Sequence, residues 1–342
     1  MNRCASVSGS RDGGSQQGSH WVLLCAILAS SMAFVDATSL SVVMPALQRE
    51  MSASGTDLLL INNGYALPLA SLLLLGGGLG DRYGRKRVLS IGIIVFAVAS
   101  LACGLAVRIP SLIAARVFQG VGAALLIPSS LAMLATFFDE SGRGKAIGKW
   151  SAGSVVASAL GPVLGGLLAG TGHWRWIFFL NLPLAAVSLM LLRLKVPRLN
   201  EDASTGPLDY RGAWWGTAGL VAINYGLIRC AEPGAGNPVV PAALLAGVIA
   251  LCVFVRVELR GRNPLVPLRL FKSPVLAAAS VLTLLFYAAL NGMLFFLPLN
   301  LIQVQGYDPL HAGLAQLPLM IMLITLSPWA VRWLTVTARA SR

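Results

Sequence analysis

Stretches of about twenty predominantly apolar residues follow one another along this chain, each long enough to cross a hydrocarbon core of roughly 30 Å. They fall at 21–44, 58–79, 88–107, 110–136, 146–169, 175–194, 212–229, 239–257, 274–299 and 310–331. Lipid offers no hydrogen bonds to the backbone, so runs of this length are expected to be helical spans. The fold class read from them is an all-α polytopic membrane protein. Composition agrees, since only 11% of the 342 residues are charged, against about a quarter in a soluble domain. The first run is too long for the apolar region of a signal peptide and is followed by further spans, so it is expected to stay as a helix.

The charges test the spans. If the N-terminus is cytoplasmic, 21 of the 26 Lys and Arg fall on the inner side, four fall on the outer side, and Arg116 lies inside a span. Basic residues collect in cytoplasmic loops, so the expected location is the cell membrane with the N-terminus inside. The same asymmetry explains the net charge of +13 without a nucleic-acid partner. Residues 1–20 are polar and rich in Gly and Ser, and read as a disordered tail.

Catalytic and cofactor chemistry has no visible home. There is no GxxxxGK[ST] loop, no HExxH and no GxSxG. His20, His173 and His311 lie far apart, and five scattered cysteines form neither a zinc spacing nor a disulfide framework. No cofactor is expected.

Two charges stand alone in apolar surroundings. Asp36 is a carboxylate well inside span 1, and Arg116 is a cation well inside span 4. At 1.5 Å per residue they lie about 12 Å and about 9 Å below the outer ends of their spans, so they can share a polar network with Gln119. An acid at that depth is costly to ionise, which favours proton exchange. Asp36 therefore reads either as a proton- or cation-binding group or as a packing acid tied to a hydroxyl such as Thr38. Arg116 cannot realistically lose its proton, so it acts as a counter-charge or as a polar anchor. Like Thr38, Asn62, Tyr65, Asn291 and Asn300 are polar or aromatic groups in apolar runs. They read as cavity-lining residues or as interhelical hydrogen bonds.

Between spans 2 and 3 the stretch Gly76 to Arg87 packs Gly77, Gly80, Asp81, Arg82, Gly84, Arg85, Lys86 and Arg87 into one turn. A basic turn sets topology, but that leaves the acid and the glycines without a reason. In span 5, Gly153, Gly161, Gly165 and Gly166 with Pro162 make a thin, kinked helix suited to close crossing.

These stretches resemble motifs of the major facilitator superfamily, and specifically its fourteen-span drug:proton antiporter branch. Gly77-x-Leu79-Gly80-Asp81-Arg82-Tyr83-Gly84-Arg85-Lys86-Arg87 resembles the signature loop. Arg116 to Gly122 with Pro128 resembles the fourth-span motif, and Gly153 to Gly166 the fifth-span antiporter motif. Asp36-Ala37-Thr38 running to Pro45 resembles the first-span motif, although Ser41 stands where the branch usually has Asn. Trp174-Arg175-Trp176 through Asn181 and Pro183 resembles the start of the sixth span.

The resemblance implies an N-terminal six-helix half (21–194), a linker with two extra helices (195–273) and the first two helices of a second half (274–342). About four further helices would complete a fourteen-span member after Arg342. Asp36, Arg116 and Gln119 would couple protons, Asp81 would latch the two halves, and the span 5 glycines would seal the cavity. The implied activity is export of a hydrophobic or cationic small molecule, powered by the proton gradient across the bilayer. A membrane-fusion-type partner is left unassigned. Proton-driven uptake and a non-transporting remnant or assembly partner are the alternative readings.

Overall fold

Long apolar helices dominate the structure, a computed structural model that describes residues 12–197, 209–230, 238–261, 266, 268–322 and 326. In chain order the helices are α1 (Asp12–Met51), α2 (Gly55–Tyr83), α3 (Arg85–Leu105), α4 (Ile109–Phe137), α5 (Glu140–Gly170), α6 (Trp176–Phe179), α7 (Asn181–Leu194), α8 (Tyr210–Cys230) and α9 (Val239–Arg260). A 3₁₀ turn at Leu268–Lys272 leads to α10 (Pro274–Gln303) and α11 (Pro309–Leu314). No strand occurs among the described residues. Among the described residues eight helical segments are long and apolar enough to cross a membrane: α1 to α5, α6 with α7 as Trp176–Leu194, α9 and α10. The 21-residue α8 is helical over the expected 212–229 span but is not one of the eight.

The helix ends follow local chemistry. Ser54 and Asp57 form a reciprocal capping box at the start of α2, satisfying amides that have no partner within the helix. Asp139 caps α5 through Gly142 N–H, 2.9 Å away. Gly84 joins α2 to α3 with φ 92°, a backbone state that costs any residue with a Cβ. The sixth span carries a local defect at Leu180, where the backbone stays helical (φ −57°, ψ −27°) but the hydrogen-bond ladder lapses. Pro183 has no N–H to donate to the Phe179 carbonyl.

Two expectations shift. The unstructured tail was placed at 1–20, but α1 already begins at Asp12, because extending an existing helix costs far less than nucleating one. Residues 1–11 lie outside the described set. The expected span 310–331 is described as α11 and as helical residues 317–322 and 326. A turn at 315–316 separates the two, and 323–325 and 327–331 lie outside the described residues, as does most of the connector 195–211.

Packing is closest between α2 and α4, α3 and α4, α1 and α5, and α8 and α9. A Cβ at Gly76 would collide with the backbone of α4 at Ala124, so α2 and α4 meet main chain to main chain. The α8–α9 hairpin lies along α2, α11 packs on α5, and α10 touches α1. Lipid-facing stripes complete the picture. Ile91, Ile94, Val98, Leu101 and Leu105 of α3 are all exposed at the spacing of one helix face.

Inside α1 to α7 the core has two apolar layers. One holds Val22, Met32, Phe96, Met133 and Leu192. The other holds Leu40, Leu47, Ile61, Leu112 and Phe178. Between them α1, α3, α4 and α7 each place buried polar residues at one level: Asp36, Ser100, Arg116 with Gln119, and Asn181.

Candidate functional site

That polar layer is a closed ring of hydrogen bonds. Arg116 Nη1 donates to Asp36 Oδ2 and to Gln119 Oε1 at 2.7 Å. Gln119 Nε2 donates to Asp36 Oδ1 at 2.8 Å and to Ser100 Oγ at 2.9 Å. Asn181 Nδ2 reaches the same two oxygens at 3.4 and 3.3 Å. Arg116 Nε donates to the Ile61 carbonyl at 3.4 Å, and the guanidinium lies 4.4 Å above the Tyr65 ring. Tyr65 in turn donates to the Ala33 carbonyl at 3.2 Å.

The ring is dry. Asp36 is 2% exposed and Arg116 and Gln119 are 0% exposed. A buried ion pair is tolerated only when further hydrogen bonds satisfy its remaining valences, and the amides of Gln119 and Asn181 supply them. One atom remains over. Arg116 Nη2 is buried without a hydrogen-bond partner among the described residues.

The atoms that face the carboxylate are all donors, so a proton placed on Asp36 would meet no acceptor unless an amide of the ring turned over. Protonation has to be accompanied by rearrangement of Gln119, Asn181 or the helices that hold them.

Thr38 does not join this ring. Its hydroxyl donates to the Phe34 and Val35 carbonyls at 2.9 and 3.3 Å and faces α5, where a Cβ at Gly161 would strike it. The hydroxyl at the acid's level is Ser100. Tyr65, read as a cavity residue or an interhelical hydrogen bond, is buried in the ring and makes the latter, from α2 to α1. Asn62 is half-buried elsewhere on α2. Asn291 is exposed and bonds its own helix at the Tyr287 carbonyl, 2.8 Å away. Asn300 is exposed near the end of α10 and accepts from Gln305 at 2.8 Å. The four residues do not share one site.

In the signature turn, Asp81 pairs with Arg85 one helical turn on, at 2.8 Å, while Arg85 Nη1 also holds the Ala132 carbonyl of α4 at 3.0 Å. Lys86 reaches the Val196 carbonyl at the end of α7. Arg82 lies 5.6 Å over the Tyr83 ring, and Arg87 is exposed. Gly80 sits against Ser129, and Gly77 lies in ordinary contact with Pro128. Just outside the spans, a hydrogen bond with Tyr83 holds the Tyr210 phenol above its ordinary pKa, tying α8 to this turn.

The span 5 glycines face two ways. At Gly161 and Gly165 a Cβ would enter the α1 backbone between Val35 and Ser39, beside Asp36. Gly153 lies on the Ile27 side chain of the same helix. Gly166 meets the backbone of Pro309 and Leu310, and the Pro162 carbonyl lies against Gly313, so this part of α5 also seats α11.

Sequence reasoning missed Ser100, Asn181 and the Glu50 clamp. Glu50 accepts from Trp174 Nε1 at 2.6 Å and pairs with Arg175 at 3.1 Å. Arg175 also donates to the Gly104 and Ala106 carbonyls at the end of α3. The signal available for Asn181 was its place two residues before Pro183 in the sixth-span motif.

A sequence profile for the Major Facilitator Superfamily matches residues 26–340. The chain is similar to the methylenomycin A resistance protein of Bacillus subtilis (strain 168), with 35% identity over 89% of this chain and 65% of that protein. It is 37% identical to the puromycin resistance protein of Streptomyces alboniger over 87% of this chain and 59% of the relative. The tetracenomycin C resistance and export protein of Streptomyces glaucescens matches at 33% identity over 91% of this chain and 58% of its own. The chain thus spans about three fifths of the length of these relatives. Among solved structures, a peptide transporter in complex with sulfate superposes with TM-score 0.66 at 18% identity, covering 94% of this chain and 69% of that one. A D-xylose-proton symporter superposes with TM-score 0.55 at 16% identity, over 92% and 69% of the two chains. At these identities the two structures speak to the fold.

Proposed function

This chain belongs to the Major Facilitator Superfamily, and we propose that it serves proton-coupled export of hydrophobic or cationic small molecules as a member of the fourteen-span drug:proton antiporter branch. Resistance and export proteins among its relatives support that direction of transport. In this reading it lies in the cell membrane with its N-terminus inside and draws on the proton gradient, without a cofactor.

The observation that carries the reading is the set of donors that face Asp36. The carboxylate accepts from Arg116, Gln119 and Asn181. Adding a proton removes the charge that Arg116 balances and places an O–H where no acceptor waits unless an amide of the ring turns over. Arg116 keeps its charge, so the α1–α4 contact loosens and the buried pair has to find new partners. The packing of Gly161 and Gly165 against Val35 to Ser39 links that event to α5, and through Gly166 to α11. In the same scheme the Asp81–Arg85 pair opens and closes as the cavity changes side. Alternating access of this kind needs two packings that a proton biases differently.

The test uses everted vesicles from a drug-sensitive host expressing the chain, with ethidium as the lipophilic cation. Ethidium accumulation driven by an inward-acid pH gradient is expected from the unaltered chain and is expected to vanish with Asp36→Asn. Coupled flux that survives intact in the variant would remove Asp36 from the mechanism. Absence of gradient-driven flux in the unaltered chain would overturn transport by this polypeptide.

A further inference from the structure

The search beyond the ring leads to the end of the bundle where α1 and α5 enter their apolar runs. There a cavity of about 180 Å³ opens between the two helices. Its floor is apolar, made by Leu23, Phe138 and Ala146, and its rim is formed by His20, Lys145 and Lys149. Among the described residues no carboxylate lines it. The nearest acid with a described side chain in sequence, Asp139, is engaged as the cap of Gly142. Both lysines are exposed.

The level of the cavity is as informative as its lining. The apolar runs of α1 and α5 begin at 21 and 146, and the cavity is lined from both sides of those starts, by Ser19, His20 and Leu23 on α1 and by Gly142, Lys145 and Ala146 on α5. It therefore opens where hydrocarbon gives way to headgroups. Trp21 marks the same level. Its ring is partly exposed and lies 5.7 Å below the Lys195 ammonium, the amphipathic arrangement favoured at a membrane interface.

We propose that this cavity is a binding site for the phosphate-bearing headgroup of an anionic phospholipid. The first carbons of its acyl chains would lie on Leu23 and Ala146, and its phosphate would sit between Lys145 and Lys149. A lipid seated there bridges α1 and α5 at the end remote from their glycine contacts at Gly161 and Gly165. It thus braces the helix pair that flanks Asp36. The site requires only that the helices cross a bilayer, so it stands or falls apart from the export reading.

The experiment measures protection of Lys145 and Lys149 from an amine-reactive reagent, read by peptide mass spectrometry, with the purified chain in nanodiscs. Nanodiscs of phosphatidylcholine are compared with nanodiscs containing a graded fraction of phosphatidylglycerol, and inorganic phosphate is added to the former as a separate arm. Protection is expected to rise with phosphatidylglycerol and not with inorganic phosphate. Native mass spectrometry gives the affinity, expected to fall about fivefold per lysine removed and about 25-fold in Lys145→Gln with Lys149→Gln. Lys195→Gln, which removes a cation outside the cavity, is expected to leave the retained lipid unchanged. Equal protection by inorganic phosphate would show an anion site rather than a lipid site. Lipid retention that falls equally in the Lys195→Gln chain would show general surface attraction. Either result overturns the proposal.

Discussion

At the scale of single residues the fold depends on a charge pair that neither partner can hold alone. Asp36→Asn leaves the Arg116 guanidinium buried without its anion, and breaking a buried pair in this way costs about 3–5 kcal/mol. Arg116→Gln strands the carboxylate to similar effect. The double variant removes both charges and is expected to recover a large part of the loss, giving a coupling energy of at least about 2 kcal/mol in a double-mutant cycle. Unfolding in detergent micelles measures all four corners, and simply additive costs would show that the two side chains do not stabilise each other. Asp36, Arg116 and Gln119 were legible in the sequence because charge and amide are conspicuous in an apolar run. Thr38, one reading's hydroxyl partner for the acid, bonds carbonyls of its own helix instead for a geometric reason. At 100° per residue a position two along lies on nearly the opposite side of the helix, so it cannot face what Asp36 faces. Ser100 and Asn181 were not legible, since small polar residues occur on many faces of membrane helices. Only the crossing of α3 and α7 brings these two to the level of the acid.

At the scale of helices, α5 contains its own control. Gly161 touches the α1 backbone at Val35 and Ser39, whereas a Cβ at Gly148 meets nothing within 4 Å. Gly161→Val is therefore expected to force α1 and α5 apart and to lower stability by about 1–3 kcal/mol. Gly148→Ala fills empty space and gains helix propensity, up to about 1 kcal/mol. Thermal unfolding of the two variants side by side is the measurement, and a Gly161→Val chain as stable as the parent would refute the main-chain contact. Span positions were readable from hydropathy because lipid imposes a length. The sixth span was legible as one helix, and Pro183 costs it a hydrogen bond without turning the backbone at Leu180 out of the helical region. The motifs signalled that span 5 crosses closely, but not that it does so on two sides, against α1 at Gly165 and against α11 at Gly166.

At the scale of the whole molecule the described helices after α9 meet the first bundle chiefly at one end. Of α10, only Pro298 and Leu301 are buried, and both lie in its last third. There Gln303 Nε2 donates to Gln48 Oε1 of α1 at 2.7 Å, while α11 rests on α5 through Gly166 and Gly313. The apolar first part of α10 runs free of the bundle, with Val275, Leu282 and Leu285 exposed. Contact concentrated at one end is the arrangement of a clamp closed at that end, and alternating access requires such a junction to open. The side chains at the junction offer a direct test. Gln48→Cys with Gln303→Cys, in a background freed of the native cysteines, places two thiols across it at a separation suited to a short bismaleimide rather than to a direct disulfide. Cross-linking is expected to abolish gradient-driven ethidium flux in vesicles. Each single variant treated with the same reagent is expected to retain flux, which separates closure of the junction from damage by the label. Full flux through a chain shown by mass spectrometry to be cross-linked would mean that Gln48 and Gln303 stay together throughout the cycle, and that the moving boundary lies elsewhere.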